Sequence, residues 1–139
     1  MDREQIKTVL PHREPMLLVD EAYLDETGVA HGSYTVRGDE WFLQGHFPGN
    51  PVMPGVIQLE IMAQSCALLL SEQTAGGVAY YAGIENVRFR RKVRPGDVME
   101  VQGILTKSKG SFYFIHARAR VGAELCCQGD LIFAVEKER

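Results

Sequence analysis

The sequence predicts an α+β fold in which one buried helix packs against an antiparallel sheet. Residues 54–71 form a long run whose apolar side chains fall on every side of a helix, and a helix that is apolar all round is a buried one. After Gly76-Gly77 the pattern changes to an alternation of apolar and polar residues, which is typical of strands with one face in the core. A sheet that follows a buried helix in this way is expected to curl around it.

The first part of the chain is expected to contain one short helix and two strands. Residues 2–9 have the pattern of a helix, which ends before Pro11 because proline cannot continue it. Residues 16–24 and 29–37 have the composition of strands, and residues 26–28 would form the turn between them.

The second part of the chain is expected to contain the long helix and four more strands. Pro54 suits the first turn of the helix, which would be about 26 Å long at ~1.5 Å per residue. The four strands, which we expect to form an antiparallel meander, are predicted at 78–93, 97–107, 111–121 and 124–136.

The composition of the chain narrows the classes of function. The 139 residues are 45% hydrophobic and 24% charged, which suits a single globular domain over residues 1–139 with a sizeable core. A net charge of −3 argues against nucleic-acid binding, and polar residues interrupt the longest apolar run, so we expect no membrane span. The start lacks the pattern of a secretory signal, and three cysteines lack the spacing of a disulfide framework or metal site; we therefore expect a cytoplasmic protein.

The segment 41–64, WFLQGHFPGNPVMPGVIQLEIMAQ, holds the candidate acid–base chemistry. His46 lies in a loop rich in proline and glycine, which favours one fixed backbone shape, and Glu60 follows in an almost wholly apolar helix. An imidazole titrates near neutral pH and suits a general base, whereas a carboxyl group in apolar surroundings tends to keep its proton and suits a general acid. The alternatives are a loop histidine bonded to a backbone carbonyl and a buried glutamate paired with an arginine.

Four blocks of sequence together resemble one enzyme family. They are LPHREPMLLVD at 10–20, QGHFPGNPVMPGV at 44–56, the glutamate and MAQ of 60–64, and GIENVRFRRKVRPGD at 83–97. In order and spacing they are similar to the FabZ-type 3-hydroxyacyl-acyl-carrier-protein dehydratases, over essentially the whole chain. The resemblance implies the hot-dog fold, a curved antiparallel sheet wrapped around a long central helix. It also implies a hydro-lyase of fatty acid biosynthesis that converts a (3R)-3-hydroxyacyl thioester into a trans-2-enoyl thioester.

The resemblance also implies roles for single residues. The catalytic base falls on His46 and the catalytic acid on Glu60, while the backbone N–H of Gly55, at the positive end of the helix, would polarise the thioester carbonyl. A tyrosine that gates the acyl tunnel lies near Tyr80 and Tyr81 in similar proteins; Tyr80 is the better match, and the alternative is that both are ordinary strand aromatics. No cofactor or metal is implied, because both steps are proton transfers on an activated thioester. The sister FabA-type isomerising dehydratases carry aspartate at the position of Glu60 and have longer chains, so dehydration without isomerisation is expected.

Other polar residues leave alternatives open. Gln64 lies one turn after Glu60, where it could orient the carboxyl group or bond to nearby backbone. We interpret His12 as structural, and His31 and His116 as surface or satisfied core residues. A cationic strand face could steer an acidic acyl carrier protein or could simply be solvated. Its members, expected on one face because they alternate, are Arg88, Arg90, Lys92 and Arg94.

The resemblance further implies a homodimer, with a hexamer as a trimer of dimers, in which the histidine of one subunit faces the glutamate of the other. Two other classes of function stay open. A hot-dog acyl thioesterase would use a helix carboxylate to activate water, and a non-catalytic acyl-carrier-binding module would need no acid or base. His46 argues against the thioesterase, which lacks this histidine block, and the presence of both His46 and Glu60 argues against the binding module.

Overall fold

A six-stranded antiparallel sheet holds a central helix against one face in the computed structural model, which describes residues 1–75 and 77–137. The α+β prediction is therefore confirmed, while Gly76 of the predicted Gly76-Gly77 boundary lies outside the described residues. The helices are α1 (Arg3–Ile6) and α2 (Gly55–Ser65), with short 3₁₀ helices at Trp41–Leu43 and Ala67–Leu70. The strands are β1 (Glu21–Leu24), β2 (Ala30–Thr35), β3 (Gly77–Phe89), β4 (Val98–Lys109), β5 (Phe112–Val121) and β6 (Glu124–Lys137). Within the described residues no helix is long and apolar enough to cross a membrane.

The central helix is shorter than the sequence predicts. The helix α2 has 11 residues, or about 16 Å of length, and the chain continues beyond Cys66 as a 3₁₀ helix. The backbone N–H of Cys66 is shared between the carbonyls of Met62 and Ala63, which tightens the last turn and ends the α-helical pattern. The prediction that the helix is buried on all sides is also wrong at Val56, which is 70% exposed in the single chain.

The order of the strands in the sheet is β1-β2-β4-β5-β6-β3. Strands β4, β5 and β6 form the predicted meander, but β3 pairs with β6 at the outer edge instead of with β4. The expectation that all four later strands form one meander is therefore wrong. Alternation predicts which face of a strand points inward, but it does not predict which strand lies beside it. The connection from β3 to β4 crosses the sheet, so these two strands are not neighbours.

Strands β1, β2 and β3 are shorter than predicted; β2 spans Ala30–Thr35 instead of residues 29–37. Residues 16–20 precede β1 as irregular backbone, because their polar groups bond partly to a helix side chain: Leu18 N–H donates to Gln64 Oε1. Strand β3 ends at Phe89, after an irregularity in its pairing near Asn86, whose φ is +55°. Residues 90–94 therefore do not belong to a strand.

Side chains that alternate along β4 and β5 form the sheet side of the core. Met99 and Val101 of β4, with Ile115 and Ala117 of β5, are at most 1% exposed, as the period of two predicts. The alternation fails at Leu105, which is 39% exposed next to a shift in the β4–β5 pairing.

Two glycines allow the end of α2 to lie very close to the sheet. A Cβ atom on Gly32 of β2 would overlap the side chain of Ser65, and one on Gly103 of β4 would overlap the sulfur of Cys66. This close approach fixes the depth at which the helix sits, and with it the position of Glu60.

Candidate active site

Glu60 lines a cavity of about 90 Å³ between α2, the segment 10–20 and the inner face of the sheet. The polar side chains on its wall include Glu60, His12, Gln64 and the hydroxyl of Tyr81. Most of the remaining wall is apolar, including Leu10, Ala63, Ala67, Leu70, Ile115 and Phe133. A cavity with a few polar groups on largely apolar walls suits a hydrocarbon chain whose reactive head lies at the carboxyl group.

Gln64 holds the carboxyl group of Glu60 and also binds backbone. Its Nε2 donates to Glu60 Oε2 at 2.8 Å and to the carbonyl of Met16 at 2.8 Å, and its Oε1 accepts from Leu18 N–H at 2.7 Å. The two alternatives for Gln64 therefore occur together. With its side chain almost fully buried, Gln64 fixes the carboxyl group and ties the segment 10–20 to α2.

His12 lies beside the same carboxyl group. Its Nε2 is 3.4 Å from Glu60 Oε2. The sequence interpretation of His12 as structural missed this contact, because 48 residues separate the two side chains and no spacing rule joins them. The only signal was that both lie in blocks shared with one family. His31 and His116 are satisfied by Asp25 at 2.8 Å and Asp130 at 2.7 Å, as expected.

Tyr81 is the tyrosine that forms part of the cavity wall in the single chain. Its hydroxyl donates to the carbonyl of Leu59 at 2.9 Å, and its ring stacks on Phe133 with 4.9 Å between centroids. Burial, and next the charge of Glu60, raise the pKa of Tyr81 far above its ordinary value, although 38% of the residue is exposed in the single chain. Tyr80 lies outside this cavity on the free edge strand and is 54% exposed, so its gating role stays a prediction.

His46 is held in one orientation by its own loop. Its Nδ1 lies 2.7 Å from the carbonyl oxygen of Val52, and its ring stacks on Phe47. An Nδ1–H that donates to this carbonyl leaves the lone pair on Nε2, the form that can take up a proton. The alternative prediction, that His46 bonds to a backbone carbonyl, is therefore correct for Nδ1. It is compatible with a role as a base, because Nε2 can still take up a proton. His46 does not line the cavity that contains Glu60 of the same chain.

Gly55 begins α2 with its backbone open. Pro54 precedes it and provides no capping side chain, and Gly55 N–H has no hydrogen-bond partner among the described residues. A Cβ atom at Gly55 would lie 3.0 Å from the ring of Phe89. A free N–H at a helix N-terminus, with no side chain in the way, can donate a hydrogen bond to the carbonyl oxygen of a ligand.

The four cationic residues do not all lie on a strand. Because β3 ends at Phe89, the prediction of a common strand face is wrong for Arg90, Lys92 and Arg94, which follow in the loop. All four side chains are nevertheless exposed. Arg91, which lies between them in the sequence, forms ion pairs within the chain, with Asp97 at 2.9 Å and Glu124 at 3.2 Å.

Groups of three or more His, Cys, Asp or Glu side chains suited to hold a metal ion do not occur in residues 1–75 and 77–137.

Residues 10–130 match the family model of the FabA-like domain. The chain is 46% identical to the 3-hydroxyacyl-[acyl-carrier-protein] dehydratase FabZ of Moorella thermoacetica, over 97% of this chain and 96% of that protein. It is also 46% identical to the FabZ dehydratase of Natranaerobius thermophilus, over 98% of this chain and 99% of that protein.

Solved structures share the hot-dog architecture. The dehydratase heterocomplex ApeI:P from Xenorhabdus doucetiae matches with a TM-score of 0.81 at 21% identity, over 96% of this chain and 91% of that chain. The fluoroacetyl-CoA thioesterase FlK matches with a TM-score of 0.67 at 15% identity, over 84% of this chain and 90% of that chain. At such identities the likeness concerns the fold, which is common to enzymes of different chemistry.

Proposed function

Because the chain belongs to the FabA-like family, we propose that it removes water from 3-hydroxyacyl groups on acyl carrier protein and forms trans-2-enoyl groups for fatty acid biosynthesis. The observation that carries the proposal is the carboxyl group of Glu60 on the wall of a largely apolar cavity, in a chain that is 46% identical to FabZ dehydratases. Residues 1–139 would work as one hot-dog domain, in the cytoplasm, where its three free cysteines stay reduced.

The reaction needs one base at C2 and one acid at C3. His46 Nε2 takes the proton from C2, which the neighbouring thioester carbonyl acidifies. The electron pair of that C–H bond forms the C2–C3 double bond, and the C3 hydroxyl leaves as water with a proton from Glu60. The N–H of Gly55 donates a hydrogen bond to the carbonyl oxygen, on which negative charge develops.

The base and the acid are proposed to come from two subunits of a homodimer. His46 is absent from the wall of the cavity that holds Glu60. The outer edge of β3 is unpaired in the single chain, and an unpaired edge strand is a ready surface for a second copy. Large apolar side chains are exposed near this edge and next to or on the motif loop, the Pro/Gly-rich residues 44–54 around His46: Phe47, Val56, Tyr80, Ile84 and Phe89. A second copy on this surface would cover them and bring its His46 to Glu60, and Tyr80 would then lie at the tunnel entrance.

The exposed cations next to this edge are proposed to attract the carrier protein. None of Arg88, Arg90, Lys92 and Arg94 forms an ion pair with a described residue, so their charges are open to a partner. The chain as a whole carries −3, which makes this local excess of positive charge a specific feature of the surface. An acidic carrier would be steered to it over a distance of about 10 Å at ordinary salt.

A small enoyl thioester distinguishes the proposed function from a thioesterase and from a binding module. Incubation of the wild-type protein with crotonyl-pantetheine should consume the enoyl absorbance reversibly and release no free thiol. The variants His46→Ala and Glu60→Gln should each lower kcat by about 10²–10⁴-fold. His31→Ala, which removes an imidazole bound to Asp25 elsewhere, is the control and should keep wild-type kcat.

Release of thiol by the wild-type protein would identify a thioesterase. An absence of both reactions would identify a binding module. If a folded Glu60→Gln or His46→Ala protein kept more than about a tenth of the wild-type kcat, the role given to that residue would be wrong.

A further inference from the structure

The two oxygens of the Glu60 carboxyl group have different surroundings. Oε2 accepts a hydrogen bond from Gln64 Nε2 at 2.8 Å and has His12 Nε2 at 3.4 Å. Oε1 has no hydrogen-bond partner among the described residues. The carboxyl group is thus held by one oxygen and presents the other to the cavity.

The imidazole of His12 is brought to this place by tertiary contacts. The segment 10–20 is anchored by a cluster of buried apolar side chains that includes its own Leu10 and Leu17. It is anchored a second time by Gln64, which forms hydrogen bonds with the backbone of Met16 and Leu18. Both anchors flank His12, so its ring has little freedom to leave Glu60.

The second ring nitrogen of His12 shows that this placement is not optimised for stability. Nδ1 is buried and has no hydrogen-bond partner among the described residues. A buried polar atom without a partner costs stability, and its presence in a native structure asks for another reason. A histidine with a purely structural role would be expected to satisfy both nitrogens.

Two other ionisable groups on the cavity wall, Tyr81 and Cys66, keep their protons at neutral pH. Burial, and next the charge of Glu60, raise the pKa of Tyr81 far above its ordinary value. Burial raises the pKa of the Cys66 thiol to about 12. Gln64 and His12 are therefore the side chains on the wall of this cavity, within the described residues, whose N–H groups can reach the carboxyl group.

We propose that His12 is a positioning residue for Glu60: its Nε2–H donates to Oε2, completes the hold begun by Gln64, and leaves Oε1 to give the proton to the departing hydroxyl. The inference rests on the proposed function. The separation of 3.4 Å is longer than the usual ~2.9 Å, and catalytic hydrogen bonds commonly shorten when substrate binds. When Glu60 has lost its proton, the same N–H stabilises the carboxylate that remains.

Substitution of His12 tests the proposal in the crotonyl-pantetheine assay. His12→Ala should lower kcat by about tenfold, since small misplacements of a catalytic group are costly. KM should change by less than about twofold, because His12 acts on the acid and not on binding. His12→Gln places an amide N–H near the position of Nε2 and should restore most of the lost kcat. His31→Ala removes a histidine that pairs with Asp25 outside this cavity and should leave both constants unchanged.

A second variant pair shows whether His12 acts through Glu60. In the Glu60→Gln background, the addition of His12→Ala should lower the remaining kcat by less than about twofold, because the group that it positions is already gone. The proposal is overturned if His12→Ala has wild-type kcat, if His12→Gln loses as much as His12→Ala, or if the loss persists in the Glu60→Gln background. An active Glu60→Gln protein would instead refute the acid role in the proposed function. An inactive Glu60→Gln beside an unaffected His12→Ala would refute this inference alone.

Discussion

At the scale of single residues, short polar contacts fix the side chains that the proposed chemistry uses. Val52 carbonyl orients His46 from 2.7 Å, and Gln64 orients Glu60 from 2.8 Å. Glu40 plays a comparable part for the backbone just before the motif loop, because it accepts hydrogen bonds from Tyr34 OH, Arg37 N–H and Gly38 N–H. Loss of such a contact would therefore lower the free energy of unfolding and also loosen the backbone that the contact holds.

The Glu40 contacts make stability depend on pH. Burial by itself would raise the pKa of Glu40, but the hydrogen bonds from Arg37, Tyr34 and Gly38 outweigh burial and lower it. A carboxyl group whose pKa is lower in the folded state stabilises the fold above its unfolded pKa of ~4.3. That contribution is lost as the pH falls through the folded value.

We therefore expect Glu40→Gln to lower the free energy of unfolding by about 2 kcal/mol at neutral pH. The difference from the wild type should shrink below about pH 4, where the wild-type carboxyl group is itself protonated. Urea unfolding at the two pH values measures both differences, and Glu26→Gln, at an exposed turn position, is the control. An equal difference at both pH values would show that the charge of Glu40 has no part in the effect.

At the scale of elements, the depth at which α2 lies on the sheet depends on two strand glycines. Gly32 and Gly103 are directly below Ser65 and Cys66, at the end of the helix. Near Gly32 the obstacle includes the Cα atom of Ser65, so backbone would have to move to admit a methyl group. Glu60 lies little more than one helical turn away and would move with it.

Gly32→Ala and Gly103→Ala should each destabilise the fold by about 1–3 kcal/mol, the usual cost of overpacking. Gly83→Ala on β3 is the matched control, since its nearest neighbour is the flexible end of Ile132 at 3.2 Å, and it should cost less. Thermal unfolding monitored by circular dichroism gives the comparison. Melting temperatures of the Gly32→Ala and Gly103→Ala proteins at or above that of Gly83→Ala would mean that the helix can lift from the sheet without cost.

At the scale of the whole molecule, one subunit lacks part of the proposed site. The free edge of β3 and the exposed Val56 and Phe89 describe a surface that a second copy would cover. Beyond that edge the exposed cations of 88–94 form a surface of opposite charge to an acidic carrier. Assembly and substrate delivery are thus expected to use neighbouring parts of the molecule.

Mixing two inactive proteins tests the shared site. His46→Ala and Glu60→Gln subunits, unfolded together and refolded, should regain up to about a quarter of wild-type activity. Half of the random dimers are mixed, and each mixed dimer has one intact site of two. Each variant refolded alone is the control. If mass spectrometry detects mixed dimers but activity does not return, both residues act within one subunit.

Charge reversal tests the delivery of the carrier. Arg90→Glu with Lys92→Glu should raise KM for carrier-bound substrate, while crotonyl-pantetheine should be turned over as before, because it has no charged surface to be steered. The effect should fade with salt, since the Debye length falls from ~10 Å at 0.1 M to ~3 Å at 1 M. Lys107→Glu with Lys109→Glu, two exposed lysines at the end of β4, is the charge-matched control. Equal losses on both substrates, without dependence on salt, would assign these cations to the scaffold.

The sequence by itself determined the fold class, the strand spans of β4 to β6 and the placing of His46 and Glu60 in a rigid loop and a helix. These follow from periodicity and from proline and glycine, which act over a few residues. Only the tertiary structure decided that α2 ends at Ser65, that β3 pairs with β6, that Tyr81 forms part of the cavity wall and that His12 meets Glu60. The last three of these join residues far apart in the chain, and such contacts are selected by the packing of the whole molecule, which no local pattern encodes.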